Sequence, residues 1–170
     1  MDNEQTVRQA LHDLTMTYVT GADRGDAAVM RSAFHPDGRM DTGLADAAID
    51  VYAETMVGRT RSAFRTMFHS ITNERYEIAG DRARGECYVS AYALTAGDDA
   101  QEIMAGGRYL DRFDRRDGVW KISHRLYVQD WRTSRPAPMP PAPGGMARGG
   151  FFPDDPAHAF WACPIDAAED

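Results

Sequence analysis

The chain has 170 residues, 43% of them hydrophobic, and a net charge of −7. That length fits one domain with a tail, and 19 basic residues scattered along an acidic chain argue against nucleic acid, which needs clustered Lys and Arg. No apolar run approaches the roughly 20 residues of a membrane helix, the MDNEQTV start is too polar for a signal peptide, and Cys87 and Cys163 are too far apart for a metal pair, so a reduced, cytoplasmic setting is expected.

Residues 4–22 read as an amphipathic helix. Val7, Leu11, Leu14 and Tyr18 follow helical spacing on one face, with Asn3 as N-cap. A short helix is expected from Asp26 to about Phe34. His35-Pro36-Asp37-Gly38 reads as a turn and residues 39–43 as a short strand. Leu44 to Phe68 is expected to be mostly helical, with Ala48, Ile49, Tyr52, Met56 and Val57 on one face. Gly58 marks a break before a second segment carrying Phe64, Met67 and Phe68.

From His69 the period changes to two, and strands are expected over 69–78, 83–94, 102–113 and 119–131. In the second, Ala83, Gly85, Cys87, Val89, Ala91 and Ala93 alternate with Arg84, Glu86, Tyr88, Ser90, Tyr92 and Leu94, which gives the sheet two unlike faces. Asp117-Gly118 between two strand-like runs is a strong hairpin signal. Residues 136–156 hold seven of the nine prolines, which excludes a helix or a central strand there. Residues 133–170 are therefore expected to form an extended arm or a disordered linker. Phe151, Phe152, Phe160 and Trp161 near its end imply packing on the core or on a neighbouring subunit.

Helices first and strands after imply an α+β domain over residues 1–132. Its curved antiparallel sheet is expected to be closed by the N-terminal helices into a cone with a blind pocket. The five histidines (12, 35, 69, 124, 158) are dispersed, so no metal site is expected.

His69 lies where helix gives way to strand. An imidazole there serves as a general base if a carboxylate orients it, and otherwise as a core histidine with one hydrogen bond. Asp23 is a candidate partner, because Asp26 is better placed to cap the next helix. Tyr18 continues the apolar stripe, either as a core aromatic or as a phenol donor at the pocket wall. Simple alternation puts Arg125 with Lys121 and Ser123, away from Trp120, Ile122 and Leu126. It faces solvent, unless a bulge near His124 turns it inwards. The aromatic wall of the pocket is expected from Phe34, Tyr52, Met56, Phe64, Phe68, Tyr88 and Tyr92.

Four segments carry a resemblance: Tyr18-Val-Thr-Gly-Ala-Asp23-Arg-Gly-Asp26, Phe34-His-Pro-Asp-Gly38, Met67-Phe-His69-Ser-Ile-Thr-Asn73, and Tyr109-Leu-Asp111-Arg-Phe113 with Asp117-Gly-Val-Trp-Lys-Ile-Ser-His-Arg125. In this order, over about residues 4 to 132, they resemble the nuclear transport factor 2-like superfamily. They are most similar to its SnoaL-like branch, with scytalone dehydratase, bile-acid 7α-dehydratase and hexachlorocyclohexane dehydrochlorinase. The resemblance implies a cofactor-free lyase with His69 as base, Asp23 as its partner, and Tyr18 and Arg125 at the leaving group. The implied substrate is a small hydrophobic aromatic or polycyclic molecule and the implied assembly a homodimer or homotrimer. The same fold hosts isomerases, cyclases and non-catalytic ligand carriers, so those readings stay open. The Pro/Gly arm departs from the family pattern.

Overall fold

The computed structural model describes residues 3–137 and 144–165. Helix α1 spans Glu4–Arg24, opened by the Asn3 side chain accepting from the Gln5 amide and ended by Gly25 at φ 61°. It buries Val7, Leu11, Thr15, Tyr18, Val19 and Ala22 on one side, as the heptad-like spacing requires. Asp26 caps α2 (Ala27–Ser32) through the amides of Ala28 and Val29. Strands β1 (Phe34–Asp41) and β2 (Asp46–Ala48) follow, then α3 (Ile49–Ala63) and the long strands β3 (Phe64–Ala79), β4 (Arg82–Thr95), β5 (Gln101–Arg116) and β6 (Val119–Pro136). A last short helix, α4, covers Pro156–Ala162.

The six strands form one sheet in the order β2-β1-β6-β5-β4-β3. Neighbours joined in sequence run antiparallel, but β1 runs parallel to β6, so the sheet is mixed rather than antiparallel throughout. No hairpin links β1 to β6, and so none dictates their relative direction. The sheet is an open cone with edges at β2 and β3. The core on its inner face centres on Leu11, Met30, Phe113 and Ile122, all with no exposed surface. No helix among the described residues is long and apolar enough to cross a membrane.

Three local expectations change. Helix α3 passes straight through Gly58, where an added Cβ would meet nothing within 4 Å. An exposed helical glycine costs about 1 kcal/mol, and a packed helix tolerates it. The helix then stops at Ala63, so Phe64 to Phe68 are strand, with Met67 paired to Ala93 and Phe68 to Tyr92. Pairing along β4 outweighs the local helical spacing. The turn expected at His35–Gly38 is an irregular stretch inside β1, where the register with β6 shifts between Phe34 and Arg39.

The β5–β6 hairpin turns at Asp117 and Gly118, at φ 51° and 81°, the positive pair of a type I′ turn. Two bulges interrupt it. Arg112 and Phe113 face His124 and Ile122, which leaves Ser123 as an extra residue on β6. Gly106 and Gly107 face Trp131 and Gln129, with Asp130 the extra one. Gly106 has no side chain because the Trp131 indole lies where a Cβ would stand, 2.3 Å away. Strand β6 continues to Pro136, beyond the expected end of the domain at 132. The expected arm lies partly in residues 138–143 and 166–170, outside the described residues. Its described end is tied to the helices: the Phe152 amide donates to the Arg24 carbonyl at 2.6 Å.

Candidate active site

The end of α1 and the start of β3 meet at Asp23 and His69. One carboxylate oxygen of Asp23 lies 2.6 Å from Nδ1 of His69, and the other accepts from the His69 backbone amide at 3.0 Å. Both side chains are close to buried. A carboxylate that grips ring and backbone together fixes the imidazole plane and places the proton on Nδ1. Nε2 is then the basic nitrogen. His69 pairs with Ala91 across β3–β4, and both line a cavity of about 140 Å³.

That cavity lies between α1, α3 and the inner face of the sheet. Its walls are Tyr18, Ala22, Met40, Tyr52, Met56, His69, Val89, Ala91, Tyr109 and Tyr127. Four phenols thus surround one imidazole. Burial raises the proton affinity of Tyr18 and Tyr109 well above that of a free phenol, and raises Tyr52 and Tyr127 in the same direction. Each stays neutral and able to donate at neutral pH. The Tyr18 hydroxyl sits 3.9 Å from the Met40 sulfur and interacts with the Tyr52 hydroxyl.

Arg125 is fully buried. The bulge at Ser123 reverses its parity and turns it inwards. Asp111, opposite it on β5, takes a bidentate grip at 2.6 and 2.7 Å, and Thr15 accepts a third bond at 3.0 Å. The guanidinium lies 4.5 Å from the ring centre of Tyr18 and 4.2 Å from that of Tyr109, within cation–π range of both. Burial opposes its charge, but Asp111 outweighs this and holds it firmly protonated. Its Nη1 has no hydrogen-bond partner among the described residues. Arg125 does not line the cavity; it stands behind the two tyrosines that do.

Of the expected wall, Tyr52 and Met56 line the cavity. Phe34 is core and backs Tyr18, ring centres 5.8 Å apart. Phe64, Phe68, Tyr88 and Tyr92 are not among the lining residues. Phe68 and Tyr92 stack at 5.5 Å on the outer face, and Tyr88 is exposed beside them in β4. The reason is steric: the inner face of β4 presents Val89 and Ala91 to the cavity, where larger side chains would fill it. Three contributors were not singled out from the sequence as site residues: Tyr109, Asp111 and Tyr127. Tyr109 and Asp111 share the parity of Phe113 on β5. Tyr127 shares that of Arg125, and so became legible only with the bulge.

Helices packed over a curved mixed sheet, with an acid–histidine pair at an enclosed cavity, define a helix-lidded cone of the nuclear transport factor 2-like kind. The model of the SnoaL-like domain matches residues 3–126, and the chain belongs to that family. Among solved structures, a hexachlorocyclohexane dehydrochlorinase, LinA type 2, is 23% identical with a TM-score of 0.73, over 84% of this chain and 97% of that one. LinA type 3 from Novosphingobium barchaimii LL02 is 24% identical with a TM-score of 0.70, over 82% and 96% of the two chains. A scytalone dehydratase-like protein from Novosphingobium aromaticivorans DSM 12444 is 19% identical with a TM-score of 0.68, over 85% and 97%. At these identities the likeness is one of fold. No curated protein sequence matches the chain.

Proposed function

We propose that this protein is a cofactor-free lyase that eliminates water, or a similar leaving group, from a small hydrophobic ring compound. The observation that carries the reading is the double grip of Asp23 on His69, which directs a basic Nε2 at an apolar, phenol-lined cavity. Nε2 removes a proton from carbon, and the C–H electron pair becomes the new double bond. The bond to the leaving oxygen breaks on the other side, and that oxygen takes a proton from a cavity phenol or from the imidazolium and departs as water. Asp23 stabilises the imidazolium formed in between. Tyr18 and Tyr52, one on each helix and interacting through their hydroxyls, are the donors, and Arg125 stacks on the Tyr18 ring from behind.

General base catalysis is worth on the order of 10²–10⁴-fold, so the substrate C–H must already be acidified by a carbonyl or an aromatic ring. The cavity is close in size to the engineered void of about 150 Å³ that takes up benzene. It accepts one flat ring. A polycyclic substrate, by this volume, would leave its other rings outside.

The LinA and scytalone dehydratase-like neighbours support a lyase over a carrier. The same base and donors would also serve an isomerase, which releases nothing, and mass balance on the product separates the two. With a one-ring β-hydroxy ketone as test substrate, His69→Ala and Asp23→Asn should each lower turnover by 10²-fold or more. Full turnover in either variant would end the dyad mechanism.

A further inference from the structure

We propose that the end of the C-terminal arm and Arg61 form a latch that positions Asp23 for its work on His69. This rests on the catalytic reading of the dyad above. Asp23 is the second-to-last residue of α1. The last carbonyls of a helix have no intrahelical donor, so whatever supplies one sets how firmly the final turn is held.

The Gly25 and Asp26 amides serve the Ala22 and Gly21 carbonyls, but the donors to the Arg24 and Gly25 carbonyls come from outside the helix. The Phe152 amide donates to the Arg24 carbonyl at 2.6 Å. Arg61, in the last turn of α3, donates to the Gly25 carbonyl at 3.0 Å and to the Phe152 carbonyl at 2.8 Å. One guanidinium therefore staples the arm to the residues that directly follow Asp23. The packing is close: a Cβ on Gly25 would stand 3.2 Å from Nε of Arg61 and 3.4 Å from the Phe151 ring.

Asp155 is the knot of the arm. It is only 5% exposed, caps α4 through the Ala157 amide, accepts from the Gly150 amide, and lies 3.3 Å from the Arg24 guanidinium. Two backbone bonds fold the arm end into a compact loop, and the ion pair ties that loop to the residue next to Asp23. The two residues after Asp23 are thus held by the arm and Arg61 while its carboxylate is held by His69. A dyad works within narrow tolerances of position and angle, and a supporting shell decides whether it keeps them.

The test uses the full chain with ¹⁵N-labelled histidine and needs no substrate. In the unsubstituted protein, neutral His69 should show one tautomer, with the proton on the Nδ1 that faces Asp23. In the R61A/D155A chain, three changes are expected together. Backbone heteronuclear NOEs across residues 151–162 fall. Exchange of the Asp26 amide, which closes the α1 cap turn on Gly21 at 2.8 Å, accelerates at least about tenfold. The two His69 nitrogens move towards the averaged shifts of mixed tautomers. A freed arm with an unchanged His69 signature overturns the proposal, and so does an arm that stays in place. D155N, whose change lies wholly within the arm, gives the same readout if the double variant does not fold. The outcomes separate the two ideas. If His69→Ala keeps turnover while the latch signature appears, only the catalytic reading falls. If the arm is freed and the dyad is untouched, only the latch falls.

Discussion

The two faces of one sheet make different use of side-chain size. On the inner face of β4, Val89 and Ala91 are small, and their smallness leaves the space that Tyr18, Tyr52, Tyr109 and Tyr127 enclose. On the outer face the large residues stand free. Phe68 stacks on Tyr92, and Arg84, Arg112 and His124 follow one another across β4, β5 and β6. A pocket wall is built where side chains stop short, and the aromatics that finish it arrive from other elements. Aromatic content along a single strand therefore points to the wrong face here, and size alternation points to the right one.

The contrast breaks most sharply at buried charge. Asp111→Ala would leave the Arg125 guanidinium enclosed without its carboxylate, a loss of about 3–5 kcal/mol, read from the denaturant midpoint. On the outer face, Arg84→Gln removes an exposed pair with Glu77, and the midpoint should hardly move. Outer-face Phe68→Ala should likewise leave turnover intact, against the loss expected for His69→Ala.

A smaller effect is expected from alkali. Burial raises the folded-state pKa of all four cavity tyrosines. A group that holds its proton more tightly when folded adds stability that is fully present below its unfolded pKa, about 10 for a phenol, and that is lost as pH rises towards the folded value. The unfolding temperature should therefore fall above about pH 10, with phenolate absorbance of these residues appearing only as the protein opens. A flat unfolding temperature through that range would contradict a closed, phenol-lined cavity.

The smallest effect is chemical. Burial pushes the Cys87 thiol up to about 12, while Cys163 is exposed. A disulfide reagent at neutral pH should titrate one thiol per chain quickly, and the second only after denaturation. Two fast thiols would mean that the inner face of β4 is open to solvent.

Much of the frame was legible because it rests on local chemistry. Asn3 and Asp26 as caps, the stripe from Val7 to Tyr18, and the Asp117-Gly118 turn each act within a few residues. Asp26 takes the capping role and leaves Asp23 free, the family resemblance implies its pairing with His69, and the structure brings the two together. The end of α3 at Ala63 was not legible, since Phe64, Met67 and Phe68 suit a helix face as well as a strand, and only β4 beside them decides.

The sequence by itself determined the order of the elements, the two unlike faces of the meander and the tight β5–β6 turn, because periodicity and turn chemistry are short-range. Tertiary structure alone decided three things. It set β1 parallel to β6, inserted Ser123 as the bulge that sends Arg125 inwards, and brought Phe152 to the carbonyl of Arg24. Each of these depends on which backbone groups find partners across long chain separations, and no local pattern records that choice.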